Sequence, residues 1–74
     1  MDFKVTEYKR AFVVKGLGRI DSVVAPDIER ILMELLDKTK AIIIDMSDID
    51  FVSSAGWWSI IRVQKELKKR GRGN

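Results

Sequence analysis

The amino-acid sequence predicts a small α/β domain: a mixed sheet of three strands with two helices, in the order β-β-α-β-α. Two kinds of observation carry this. Short runs of β-branched and alternating apolar residues sit at 2–8, 11–16 and 41–44, the pattern of strands. Two longer segments, 26–38 and 54–70, repeat their apolar residues at helical spacing instead.

The elements follow in order. "DFKVTEY" alternates apolar and polar residues and reads as a half-buried strand. Lys9 and Arg10 turn the chain, and "AFVVKG" returns antiparallel to the first run. "GLGRIDS" breaks the strand pattern, Gly16 and Gly18 freeing the backbone. Pro26 suits the first turn of a helix, where its missing N–H costs nothing, and Asp27 and Glu29 face the positive end of the dipole. Ile28, Ile31, Leu32 and Leu35 form the apolar stripe of that helix, which is expected to end near Lys38.

"KAIIIDMS" is a continuous apolar run and reads as a central parallel strand covered on both faces. With the preceding strand and helix it makes a β-α-β unit, whose crossover is expected to be right-handed. "SDIDFVSS" reads as a loop. The second helix starts at Ser53 or Ser54 and runs to Arg70, with the stripe Trp57, Ile60, Ile61, Gln64 and Leu67; Gly71 and Gly73 mark its exit. The whole chain, 1–74, is one domain, with a flexible tail at 71–74.

Composition narrows the function. The chain has no cysteine and no histidine, which removes thiolate chemistry, the commonest metal ligands and the commonest general base. "SSAG" lacks the G-x-S-x-G elbow of hydrolases. The expectation is a protein that is not an enzyme, with no catalytic residues and no cofactor. The longest apolar run, "AIII", is too short to cross a bilayer, so a soluble cytoplasmic chain with no membrane association is expected.

Three local patterns have both a functional and a plain reading. "KGLGRID" sits between strand and helix like a nucleotide loop but meets neither phosphate-binding fingerprint, and a tight turn is favoured. Asp45, Asp48 and Asp50 could hold a hard cation, yet miss the calcium-loop spacing; a capping Asp45 and two solvated loop residues are favoured, with no metal site. From Arg62 onward six basic residues (Arg62, Lys65, Lys68, Lys69, Arg70 and Arg72) face the single acid Glu66. Such an end suits nucleic acid or the negative end of a helix. No aromatic residue interleaves it for base stacking, so nucleic acid is not the expected partner.

The serine pair 53–54 remains. Orphan N–H groups and the dipole make a helix start an anion site, a good N-cap position and a tolerant place for a phosphate. The residues alone favour a plain N-cap.

Three stretches taken together resemble the STAS domain family, named from sulfate transporters and anti-sigma factor antagonists. "GRIDS-VVAPDIERIL" resembles its Gly-Glu-Leu-Asp stretch and following helix. "AIIIDMSDIDFV" resembles its apolar strand, Asp-Leu-Ser and Phe, and "SSAGWWSII" its Asp-Ser-Ser-Gly-Leu-Gly segment. The resemblance covers nearly the whole chain. It implies a cytoplasmic, bacterial anti-sigma factor antagonist that binds a serine kinase acting as anti-sigma factor. Phosphorylation at Ser54 (less favoured, Ser53) would release the kinase, and a metal-dependent serine phosphatase would reset the switch.

Asp21, Ser22, Asp50, Ser53, Ser54 and Trp58 are the expected partner-binding residues. The second reading is a non-phosphorylated STAS scaffold in a stress-sensing or transport-associated complex. A small basic nucleic-acid-binding domain using Lys65, Lys68, Lys69 and Arg70 is third.

The chain departs from the family at Ser53 (often aspartate), Ala55 (often Ser or Thr), Arg19 (often Glu) and Trp58 (often a small residue). The family continues past "KKRGRGN" into another strand and helix, so relative to it the sequence is expected to be truncated. The edge of strand 41–45 is then expected to be open, possible homo-oligomerisation through that edge being the consequence. By its position on the stripe Trp57 is expected in the core, and Trp58, one position round, at the surface.

Overall fold

The computed structural model describes residues 2–38 and 41–71. The chain runs through β1 (Asp2–Glu7), β2 (Ala11–Ile20), α1 (Ala25–Leu36), β3 (Ala41–Asp45), β4 (Ile49–Val52) and α2 (Ser54–Lys69). The mixed sheet is as expected: β1 pairs antiparallel with β2, and β2 pairs parallel with β3. The tight β1–β2 connection is closed by the Tyr8 N–H on the Ala11 carbonyl at 2.8 Å.

The fourth strand is an addition to the sequence reading. Residues 49–52, expected as loop, pair parallel with β2 at Gly18, Arg19 and Ile20. β2 is correspondingly longer than expected. It does not break at Gly16 but runs ten residues to Ile20. The reason is that β3 and β4 lie end to end along one neighbour. β3 takes residues 11–15 of β2 and β4 takes 18–20. The joint between them carries a bulge at which Asp50 is the extra residue, since Gly18 faces Ile49 and Arg19 faces Phe51. Gly18 serves that joint with φ of +93° and donates its N–H to the Asp48 carbonyl at 3.0 Å. A side chain there would be strained.

Both helices cover one face of the sheet. Val14 and Ile20 of β2 pack with Ile28, Leu32 and Leu36 of α1 and Val63 of α2 to form the core. Among the described residues nothing covers the opposite face. β3 therefore alternates rather than being covered twice: Ile42 and Ile44 pack toward the core, while Ile43 is 53% exposed. That corrects the expectation of a strand buried on both faces. Leu17 and Phe51 are exposed as well. Arg19 lies over the Phe51 ring at 4.4 Å from its centroid, and Lys15 pairs with Asp48 at 3.0 Å. β3 ends the strand order β1-β2-β3, so its outer edge is unpaired among the described residues.

The helices lie parallel in one register. Arg62 of α2 meets Glu29 of α1, and eight residues on Arg70 meets Asp37 just past α1, at 3.0 Å. The equal spacing along both chains means that the two pairs report the same relative placement. At the end of α2, Gly71 takes the left-handed φ of +74° and returns its N–H to Lys68 at 2.9 Å, a usual helix exit. The expected tail, Gly71 apart, and with it Gly73, lies outside the described residues.

The face that α2 buries differs from the expected stripe. Gly56, Ser59 and Val63 are buried, with Ile60 and Leu67 half-buried. Trp57 is 50% exposed and not in the core. Gly56 is the cause. A Cβ at that position would stand 2.8 Å from Ile20 Cγ2, 2.9 Å from Val52 Cγ1 and 3.1 Å from the Ile20 carbonyl oxygen. The helix start touches the sheet at its smallest residue, and the bulky indoles are turned outward on either side. Gly56→Ala is expected to destabilise the protein by about 1–3 kcal/mol through overpacking, although alanine is the better helix former by roughly 1 kcal/mol. Denaturant unfolding, read as a midpoint change at constant m-value, checks this.

Candidate functional site

At the carboxyl end of the sheet the chain leaves β2 for α1 and β4 for α2. The Ser53 N–H donates to the Ile20 carbonyl at 2.8 Å. That bond places Ser53 beside Ile20, the residue before Asp21, so the two turns that precede the helices are held together. Asp21, Ser22, Ser53, Ser54 and Trp58 are thereby brought to one end of the molecule. Asp50 sits apart from them on the β4 bulge, exposed.

Asp21 shapes the first turn. Its Oδ1 accepts from the N–H groups of Val23 and Val24 at 3.0 and 3.1 Å, and its carbonyl accepts from Ala25 N–H at 2.9 Å. The carboxylate so satisfies donors at the start of α1, where Val24 itself supplies no side-chain cap. Ser22 and Val23 are lifted into solvent, Val23 to 79% exposure.

The two serines have separate places. Ser53 is the N-cap of α2, its Oγ accepting the Gly56 N–H at 3.2 Å. Serine and aspartate are comparable caps, so serine at 53 keeps the start of the helix. Ser54 is the first helical residue and is exposed, and no hydrogen bond to a described residue engages its hydroxyl. Helical spacing puts Trp57 and Trp58 at i+3 and i+4 from Ser54, and both are half exposed.

Between the helices lies a groove of about 580 Å³, lined by Ser22, Pro26, Ala55 and Trp58 and reaching the Glu29–Arg62 pair. Arg62 holds the Glu29 carboxylate from two nitrogens. Nε lies 3.0 and 3.1 Å from the two oxygens, and Nη2 lies 2.6 Å from Oε1. Nη2 also donates to the Oγ of the buried Ser59 at 3.2 Å. The Arg62 hydrogen bonds hold the Glu29 carboxyl below its ordinary range, with Ser59 assisting against partial burial.

Of the three aspartates at 45, 48 and 50, the first two have separate partners. Asp45 accepts from Ser47 N–H at 2.9 Å and Ser47 O–H at 2.7 Å, bonds that hold its carboxyl below the usual range. Asp48 binds Lys15, raising that lysine, and Asp50 is the bulge residue. In the basic end of α2, Arg62 and Arg70 are committed to acids of the fold, while Lys65, Lys68 and Lys69 are exposed. Among the described residues no helix is long and apolar enough to cross a membrane.

Sequence reasoning missed Val23 and Trp57 as surface residues of this end. The spacing of Gly56 and Ser59, small residues at i and i+3, was the available signal that α2 comes close to the sheet along that line. Val23 stands between Ser22 and the helix-opening Pro26, a place where an apolar residue has no periodic partner.

Comparison with known proteins agrees with the fold. The family model for the STAS domain matches residues 2–73. Among solved structures, an anti-sigma factor antagonist from Mycobacterium paratuberculosis superposes with a TM-score of 0.78 at 27% identity. The anti-sigma factor antagonist SpoIIAA, in its unphosphorylated form, superposes at 0.77 with 18% identity, a likeness of fold. The matches cover 88% and 96% of this chain, which spans 56% and 67% of the two proteins. No curated protein matches.

Two outcomes test the site's construction. Ser53→Ala is expected to cost about 1 kcal/mol through loss of the cap, and Ser53→Asp to restore it, read by urea unfolding. The Glu29–Arg62 pair has the sign of a depressed carboxylate: its stabilisation is present above the unfolded glutamate pKa and is lost as pH falls through the lower folded value. Glu29→Gln is expected to be less stable than the parent at neutral pH, the gap closing below about pH 4 as the parent's carboxyl also becomes neutral. Paired unfolding curves across that range would show it.

Proposed function

The chain belongs to the STAS domain family, and from that premise we propose that it is an anti-sigma factor antagonist-like binding module, controlled by a phosphate on Ser54. Its partner is an anti-sigma factor serine kinase. The observation that carries the reading is the division of labour at the start of α2. Ser53 holds the cap, and Ser54 presents an unengaged, exposed hydroxyl one turn before two exposed indoles.

That arrangement allows a switch that leaves the fold alone. A phosphate on Ser54 adds roughly −1.5 to −2 charges at the positive end of a helix, where they are tolerated. The same charge lands beside Trp57 and Trp58, residues of the type that anchor interfaces. Burying a dianion against an apolar contact costs desolvation that the contact does not return. The unphosphorylated protein binds, the phosphorylated protein lets go, and a serine phosphatase restores binding. Asp21, Ser22 and Trp58 frame the contact surface at the end of the sheet; Val23 and Trp57 extend it, and Asp50 lies at its margin.

A second reading is a non-phosphorylated scaffold that binds its partner constitutively in a stress-sensing or transport-associated complex. Serine in place of aspartate at 53 favours it, because it removes a charge beside the acceptor hydroxyl that a kinase would read.

Incubation with a cognate serine kinase and ATP separates the two. The switch predicts one phosphate, mapped to Ser54 by mass spectrometry and absent from Ser54→Ala. It also predicts loss of kinase binding by Ser54→Asp and a weakening of about tenfold or more by Trp58→Ala, the scale of an interface anchor. No mass change, with binding unaltered in both serine variants, would leave the scaffold.

A further inference from the structure

The outward side of α2 continues past its tryptophans. Ser54, Trp58, Ile61, Lys65 and Lys68 follow one another at spacings of four, three, four and three residues, which keeps them in one row along a helix. The row lies opposite the buried Gly56, Ser59 and Val63, on the side of α2 turned away from the sheet. Its exposure therefore does not depend on what lies along the sheet's edge. All five residues are exposed, Trp58 to 55% and Ile61 to 39%. Ile61 extends the apolar surface of Trp58 by one turn, and the two lysines bound it on the side away from Ser54.

The fold does not use these lysines. On the same helix, Arg62 and Arg70 are paired with Glu29, Glu66 and Asp37. Lys65 and Lys68 form no hydrogen bond or ion pair with another described residue. Lys68 stands in the last turn, where a cation suits the helix dipole. Lys65 stands before that turn, and the effect of the dipole is confined to it. Unmatched cations at the rim of an exposed apolar patch complement carboxylates around an apolar pocket. A lipid surface suits cations that flank the apolar line along its length; here they lie only beyond its far end. A nucleic acid offers phosphates to the lysines and nothing to Ile61.

We infer that α2 docks by this row on an acidic protein surface, Trp58 and Ile61 entering an apolar pocket while carboxylates of the partner meet Lys65 and Lys68. The inference rests on the reading of the chain as a binding module and deepens it, giving the kinase a contact surface with an apolar centre and an acidic rim. Lys65 stands about 16 Å from Ser54 along the helix axis, beyond the Debye length of about 8 Å at physiological salt. A phosphate on Ser54 therefore leaves the lysines effective. The two ends of the row act on different rates. The lysines steer association, and the phosphate, beside the indole, hastens dissociation.

Binding kinetics with the serine kinase of the phosphorylation assay, measured across a salt series, test this. The double variant Lys65→Glu, Lys68→Glu is expected to slow association about tenfold or more at low salt, to flatten the salt dependence, and to change dissociation less than about twofold. Ile61→Ala is expected to speed dissociation about fivefold. The control, Lys4→Glu with Lys9→Glu, changes the net charge equally at exposed positions of β1 and the turn after it and is expected to leave both rates near the parent's. Circular dichroism checks that each variant is folded. Association indifferent to Lys65 and Lys68, or slowed as much by the control, overturns the inference, and phosphorylation of Ser54 by the same kinase then leaves the switch standing. A kinase that binds with this lysine dependence without modifying Ser54 overturns the switch and keeps the row. Absence of kinase binding overturns both; retention on phosphatidylglycerol vesicles or on a DNA duplex, abolished by the lysine reversal, then assigns the row to lipid or to nucleic acid.

Discussion

The close approach of α2 to the end of the sheet governs this structure. Gly56 lies where any side chain would collide with Ile20 and Val52, and three residues earlier the Ser53 N–H is bonded to the Ile20 carbonyl. Steric contact and hydrogen bond act on the same residue of β2. Together they fix both the height of the helix above the sheet and its rotation about its own axis. Once Gly56 faces inward, Ser59 and Val63 follow it into the core at helical spacing, and Trp57, Trp58 and Ser54 are turned to solvent. The surface proposed for partner binding is thus a consequence of how the helix packs.

A second constraint is the one-sided sheet. With both helices on one face, a chain of 74 residues builds its core from a single layer of contacts. Two arginines of α2 reach acids in and just after α1 in matching register. These pairs order the helices relative to each other, and they also explain part of the basic excess at the end of the sequence without a nucleic acid. The opposite face keeps exposed Leu17, Ile43 and Phe51, and the outer edge of β3 is unpaired among the described residues.

The start of α2 separates a structural task from a chemical one. In a serine pair at a helix N-terminus, one hydroxyl that served both as cap and as phosphate acceptor would lose the cap on modification. Here Ser53 binds the Gly56 N–H and Ser54 does not take part. A charge placed on Ser54 meets a favourable dipole and leaves the cap in place. Its effect is then confined to the surface it shares with the indoles one turn along.

Much of the fold was legible in the sequence. The period-two run of β1, the Pro26 helix start, the apolar stretch at 41–45 and the glycine exit at 71 each rest on local chemistry: rotamer and dihedral preferences, missing donors, a left-handed turn. Such signals act within a few residues and survive in any context. The candidate serines and the turn at Asp21 were legible for the same reason, because capping is local. What the tertiary structure decided was non-local. Residues 49–52 become a strand only because β2 runs on beyond β3 and offers them a partner, and no property of "IDFV" states that. The two tryptophans are alike in composition and adjacent in sequence. Trp57 left the core because a glycine beside it could come closer to Ile20 and Val52 than any indole. In a packed interior, the side that a helix buries is set by the distance its smallest residues permit as well as by the size of its largest apolar ones.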